Sequence, residues 1–240
     1  MPEQQPTNHF GEDHAANYDQ QFAKLAPLKD ALHLCARAVL ADAPEDARVL
    51  CVGAGTGAEL LYFAEAFPGW SFTLVEPSAP MLKRCRVRAE EAGITQRSTY
   101  HEGYLDSLPP AEPFDVATSI LVSQFILDME ARRAYFREIA RRLCPGGHLV
   151  TADLATDRPS GETGPGGPLF DHWMALMAYN GADAEAIARY RDAVTNHVAI
   201  LPALDAASLL ESAGFESAAQ VCQTLLIHTW HARRSAGVLV

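Results

Sequence analysis

Val49-Leu50-Cys51-Val52-Gly53-Ala54-Gly55-Thr56-Gly57, followed further on by Val75-Glu76-Pro77, is the stretch that decides the fold. Four apolar residues run into three glycines at alternate positions, and a helix is predicted at once, over about 57–66. A second apolar run ends in a carboxylate 19 residues past Gly57. Glycines let the backbone turn tightly and let a ligand lie against it with no Cβ between. A carboxylate at the tip of the second strand is placed to accept from both hydroxyls of a ribose. This is the layout of a nucleoside pocket on a doubly wound α/β sheet.

The spacing narrows the nucleoside. The dinucleotide fingerprint is Gly-x-Gly-x-x-Gly, with a helix N-terminus aimed at a pyrophosphate. Here the pattern is Gly-x-Gly-x-Gly and position 58 is Ala, so a nicotinamide dehydrogenase fits poorly. Read over Val49 to Gly57, the chain resembles the class I S-adenosylmethionine-dependent methyltransferases. The resemblance covers about residues 45–155 well and the remainder loosely.

The chain has 240 residues, 48% of them hydrophobic and 20% charged, which suits one domain with a full core and a small cap. No run of 18 apolar residues occurs, so no membrane span is expected. The polar start Met1-Pro2-Glu3-Gln4-Gln5-Pro6 lacks a signal-peptide apolar stretch. Cys35, Cys51, Cys85, Cys144 and Cys222 are odd in number and widely spaced, and read as reduced thiols of a cytoplasmic protein. The net charge of −11 repels phosphate backbones, which disfavours nucleic acid as a partner. Two basic clusters, Lys83-Arg84-Arg86-Arg88 and Arg132-Arg133-Arg137-Arg141-Arg142, fall on predicted helices and read as solvated faces. Arg133 or Arg137 is expected to pair with Glu130 and Glu138. The partners this reading allows are a small-molecule acceptor and, for the chain itself, a homodimer.

Along the chain, residues 1–12 read as disordered and 13–41 as helical, with Pro27 breaking the stretch near its middle. Strands are predicted near 48–52, 71–75, 97–101, 114–120 and 148–154. Helices alternate with them at 57–66, 78–92 and 129–143, and Pro145-Gly146-Gly147 reads as a sharp turn. Residues 156–168 read as a flexible connection. Helices follow at 169–180, 183–197 and 204–213, then two strands at 216–222 and 224–232, close enough to pair as an antiparallel hairpin. The predicted fold is a doubly wound, seven-strand, mostly parallel sheet (a Rossmann-like α/β methyltransferase fold) with a C-terminal hairpin and a small helical cap. Four regions follow: an N-terminal helical lid (1–44), a cofactor-binding core (45–155), a helical insertion or cap (156–200), and a C-terminal helix and hairpin (201–240).

The resemblance implies S-adenosylmethionine as cofactor and S-adenosylhomocysteine as product. It places Gly53, Ala54, Gly55, Thr56 and Gly57 along the methionine and ribose, with Glu76 and Pro77 at the ribose and Met81 over the adenine. Gly103, Tyr104 and Leu105 fall in the adenine loop, Ser119, Ile120 and Leu121 beside the methionine sulfur, and Gln124 and Phe125 at the reaction site. Tyr18 comes from the N-terminal segment that family members fold over the cofactor. Two positions depart from the family. Tyr104 stands where the family usually has an Asp that accepts from the adenine amino group. Cys51 stands where an acid usually anchors the glycine loop and the ligand's ammonium, so that group must find other partners, backbone carbonyls at Gly53 and Ser119 among them.

A sulfonium carries a methyl group already activated by its charge, so the protein needs mainly to hold a nucleophile in line and exclude water. No fixed triad and no metal-spaced His or Cys set is expected, and none stands out in the sequence. The acceptor pocket is expected from the N-terminal segment (His14, Tyr18, Phe22) and from the insertion (His172, Trp173, Met177, Tyr179, Asn180, Tyr190, Arg191, His197), with His14, Tyr18, His172 and Arg191 the candidates nearest the chemistry. Methyl transfer to an O, N or S atom of a small molecule is the leading expectation. Ser119 to Ile126, Leu143-Cys144-Pro145-Gly146-Gly147 and Ser212-Ala213-Gly214-Phe215 also resemble the carboxy-S-adenosylmethionine synthase branch of tRNA wobble-uridine modification, in which an arginine comparable to Arg191 holds the added carboxylate. A cofactor-binding protein without turnover is the third alternative.

Overall fold

Val49, Leu50 and Cys51 have no solvent-exposed surface, because both faces of their strand are covered. Such burial produces a continuous apolar run instead of an alternating one, the signature of a central parallel strand. The computed structural model describes residues 23–157 and 167–237. Within them the chain runs α1 (Ala26–Val39), β1 (Arg48–Val52), α2 (Ala58–Ala66), β2 (Ser71–Glu76), α3 (Ala79–Glu91), β3 (Ser98–Glu102), β4 (Phe114–Ile120), α4 (Met129–Arg142), β5 (Leu143–Leu154), α5 (Pro168–Tyr179), α6 (Ala184–His197), α7 (Ala203–Ser212), β6 (Phe215–Thr224) and β7 (Ile227–Arg234). The sheet order is β3-β2-β1-β4-β5-β7-β6. The first five strands are parallel, and β7 and β6 close the sheet antiparallel. No helix among the described residues is long and apolar enough to cross a membrane.

Two apolar layers hold the helices on the sheet. On one face Ala36 of α1 with Leu40 just past its end, Leu60 and Phe63 of α2, and Cys85 and Ala89 of α3 pack on Val49, Cys51, Leu74 and Val116. On the other, Phe136 and Ile139 of α4 and Leu209 and Leu210 of α7 pack on Leu50, Val52, Ala117 and Leu149. A third cluster joins Phe170, Trp173, Met174 and Met177 of α5 and Val194 of α6 to Ala152 and Leu154 of β5, with Leu25 and Leu32 at the N-terminal side. The insertion therefore sits over the carboxyl end of β5. Trp173 Nε1 donates to the Tyr190 hydroxyl at 3.0 Å and ties its two helices together.

Four expectations are corrected. Pro27 lies in the first turn of α1, where its missing N–H costs nothing, so it starts a helix instead of breaking one. Pro145-Gly146-Gly147 does not separate α4 from a later strand. Strand β5 begins at Leu143, opposite Phe114, and its register shifts before His148 meets Val116, so the glycines form an irregularity inside the strand. Glu138 pairs with Arg141 and Arg142, not with Arg137, while Arg133 does pair with Glu130. Arg132 is not on a solvated face: it is 1% exposed.

Gly57 shows how the sequence sets the packing. Its φ is +81°, and a Cβ there would lie 2.7 Å from Cys85 Sγ and 3.5 Å from the Cys85 backbone. The residue lets α3 close on the start of α2. Gly57→Ala combines left-handed strain with overpacking, and is expected to lower unfolding free energy by about 1–2 kcal/mol, read as a fall in the urea midpoint.

Candidate cofactor site

The carboxyl ends of β1, β2 and β4 meet at the glycine turn. Gly53 and Ala54 donate to the Val75 carbonyl at 2.8 and 3.1 Å, which ties the turn to β2. Glu76 ends β2 and is 8% exposed. Its Oε2 accepts from Gly55 N at 2.9 Å and its Oε1 from Ser78 N at 2.8 Å. Each oxygen keeps a lone pair for a further donor. Burial raises the Glu76 pKa, and the two backbone donors oppose that rise. Ser78 caps α3 through Met81 N, so the positive end of that helix also faces the carboxylate.

The three glycines do different work. A Cβ on Gly53 would collide with the Val122 side chain, and one on Gly57 with Cys85. Only at Gly55 is there open space within 4 Å. The surface against which a ligand can lie is thus Gly55, directly beside Glu76.

The loop after β3 begins at Gly103, whose N donates to the Glu76 carbonyl at 3.1 Å. Tyr104 is 39% exposed, whereas Leu105 is turned into the core at 5%. Met81 is likewise buried, at 3%. Ser119 has no exposed surface; its hydroxyl pairs with the Tyr135 hydroxyl at 2.8 Å, and its carbonyl accepts from Thr151 Oγ1 at 2.9 Å.

Beyond Ile120 the chain takes a strained path. Leu121 has φ +58°, a conformation that costs a bulky residue about 1–2 kcal/mol. A buried polar network holds the loop there. Arg132 Nη2 lies 3.1 Å from Asp153 Oδ2. The Ser123 hydroxyl donates to Asp153 Oδ2 at 2.6 Å, and Gln124 N donates to Asp153 Oδ1 at 2.9 Å. Arg132 Nε donates to Ser123 Oγ at 2.9 Å, and Nη1 to the Ala199 carbonyl at 3.0 Å. The Gln124 side chain accepts from Leu154 N at 2.8 Å, and its carbonyl from Ala199 N at 2.7 Å. Gln124 therefore positions the loop and ties it to the chain leaving α6. Phe125, Leu127 and Met129 follow with exposed side chains.

Sequence reasoning did not nominate Glu59, in the first turn of α2. It is 6% exposed. Thr118 Oγ1 donates to its Oε1 at 3.0 Å, and the Cys51 thiol is hydrogen-bonded to the same carboxyl. Burial pushes its pKa up to about 7, a rise that those two hydrogen bonds oppose. Its Oε2 has no partner among the described residues. A carboxyl whose folded pKa is raised contributes stability below its unfolded value of 4.5, and that contribution is lost as pH climbs to about 7. The stability of Glu59→Gln relative to the parent protein is therefore expected to rise with pH across that window, by up to about 1.4 kcal/mol per pH unit, in paired urea titrations.

The remaining candidates lie on the insertion helices or outside the described residues. His172 is exposed on α5. Arg191 is exposed on α6, lies 3.9 Å from Asp171, and stacks over the Phe170 ring with a 4.9 Å centroid distance. His14 and Tyr18 lie outside the described residues.

Comparison with known proteins agrees with this geometry. Residues 49–147 match the family model described as a methyltransferase domain. Over 139 residues the chain is 31% identical to a malonyl-[acyl-carrier protein] O-methyltransferase from Magnetococcus marinus, covering 58% of this chain and 46% of that protein. The chain thus spans less than half the length of this curated relative. Among solved structures, an O-methyltransferase family protein from Burkholderia thailandensis superposes with a TM-score of 0.67 at 16% identity, over 93% of this chain and 60% of its own. The mitomycin 7-O-methyltransferase superposes at 0.60 with 20% identity, over 88% and 54%. The glycine turn, the strand-end acid and the sheet order agree with the family match: residues 49–147 are similar to a methyltransferase domain, on a sheet of the Rossmann-like methyltransferase fold.

Proposed function

We propose that the protein binds S-adenosylmethionine at the Gly55–Glu76 crevice and transfers its methyl group to an oxygen, nitrogen or sulfur atom of a small molecule. The observation that carries this reading is Glu76, a buried strand-end carboxylate fixed by two backbone donors beside the one open glycine of the turn. Sugar hydroxyls can add to its oxygens without displacing the bonds it already makes. When bound, the cofactor supplies an electrophilic methyl group that its own positive charge activates. The chain's residues have the remaining tasks. Glu76 fixes the sugar, Gly55 admits it, and the loop of Leu121 to Gln124 shapes the wall beside the sulfur. The apolar rim of Phe125, Leu127 and Met129 keeps water from the acceptor side. Oxygen is the favoured acceptor atom, since the relatives above are O-methyltransferases by name.

The test is direct. Purified protein incubated with methyl-labelled S-adenosylmethionine and a panel of hydroxy, carboxy, amino and thiol compounds should form S-adenosylhomocysteine with at least one of them. S-adenosylmethionine alone should raise the melting temperature. The absence of any thermal shift at millimolar cofactor contradicts the reading.

A further inference from the structure

Glu59 is the buried titratable group that the nucleoside reading leaves without a task. Its surroundings are neutral or already committed. Cys51 of β1 and Cys85 of α3 are thiols whose pKa values burial pushes up. Thr118 of β4 donates its hydroxyl to Oε1. The Tyr135 hydroxyl of α4 is held protonated by burial and bonded to Ser119. The Arg88 guanidinium of α3 is committed to the Thr56 carbonyl and hydroxyl at 3.1 and 3.2 Å. In either protonation state Oε2 is buried without a partner, and a group left so is costly. The cofactor read into this crevice carries a cationic amino group. The N-termini of α2 and α3 both oppose a cation there, and Glu76 already answers the backbone donors of the turn.

We propose that Glu59 is the anionic partner of the cofactor's amino-acid ammonium, taking an N–H on its unpartnered Oε2 at the root of α2. The inference rests on the nucleoside reading above and deepens it. The ammonium arrives with its own protons, so the carboxyl must give up the one it carries to solvent. Binding then releases a proton near neutral pH.

Isothermal titration of the full chain with two product-like nucleosides separates the possibilities. S-adenosylhomocysteine carries the ammonium; 5′-methylthioadenosine has the same adenosine and sulfur without it. Glu59→Gln keeps the shape and the Thr118 contact. It should weaken S-adenosylhomocysteine at least tenfold and leave 5′-methylthioadenosine within twofold, whereas Glu76→Ala should weaken both. With the parent protein, titration at pH 7 in buffers of different ionisation enthalpy should show about half a proton released with the first ligand and none with the second. That measurement stands even where the variant folds poorly. Equal effects of Glu59→Gln on the two ligands, or no ligand-specific proton release, overturn the assignment. If the parent protein binds neither ligand, it is the nucleoside reading itself that fails.

Discussion

Arg132→Ala is expected to destabilise the fold by about 3–5 kcal/mol, the cost of leaving a partner charge buried and unpaired. Arg132 and Asp153 are 1% and 3% exposed, and the ion pair is threaded through Ser123 and Gln124. Removing the guanidinium deprives Asp153, the Ser123 hydroxyl and the Ala199 carbonyl of a donor or a charge together. Its loss also releases the restraint that holds Leu121 at a positive φ. A urea titration of Arg132→Ala against the parent protein measures the cost. The double variant Arg132→Met with Asp153→Leu removes both charges and should recover most of it, as replacements of buried pairs by apolar residues often do. A single variant within 1 kcal/mol of the parent would mean that the network adds little and that packing alone holds the loop.

Glu76→Ala is expected to weaken nucleoside binding by about 2–3 kcal/mol, roughly 30- to 150-fold, from the loss of two charge-assisted hydrogen bonds to the sugar. The substitution also strips Gly55 N and Ser78 N of their acceptor, which loosens the turn. Glu76→Gln separates the two effects, because the amide keeps one acceptor oxygen. It should recover part of the stability and little of the affinity. Binding to the Ala variant within twofold of the parent removes Glu76 from the site.

The architecture was legible because its determinants are local. Strand β4 has the bounds its apolar run predicts, and the helix after the glycine turn starts within a residue of the expectation. Glycine spacing and the strand-end acid marked the turn where the carboxyl ends of β1 and β2 meet. The buried charges were hidden by their neighbours. Arg132 stands in a run of helical arginines, and its composition suggested solvent. Yet Arg132, Phe136 and Ile139 share the 3.6-residue face that α4 buries. Glu59 and Phe63 share a buried face of α2 in the same way. Asp153 is the penultimate residue of β5, close to the strand-end placement that marked Glu76 on β2. In each case the periodicity held the signal, and residue type was weighed above it. Pro145-Gly146-Gly147 misled for a different reason: an irregularity within a strand uses the same residues as a turn between elements. Nor does the motif say which neighbour fills the space above each glycine. Val122 and Cys85, which cover Gly53 and Gly57, come from later elements whose approach only the fold defines.

A crystal structure of the protein with S-adenosylhomocysteine tests the central claim most directly. The predicted result is density for the nucleoside against Gly55, with both ribose hydroxyls within hydrogen-bond distance of the Glu76 carboxylate. Density elsewhere, or a Glu76 that turns from the sugar while the ligand is bound, would contradict it.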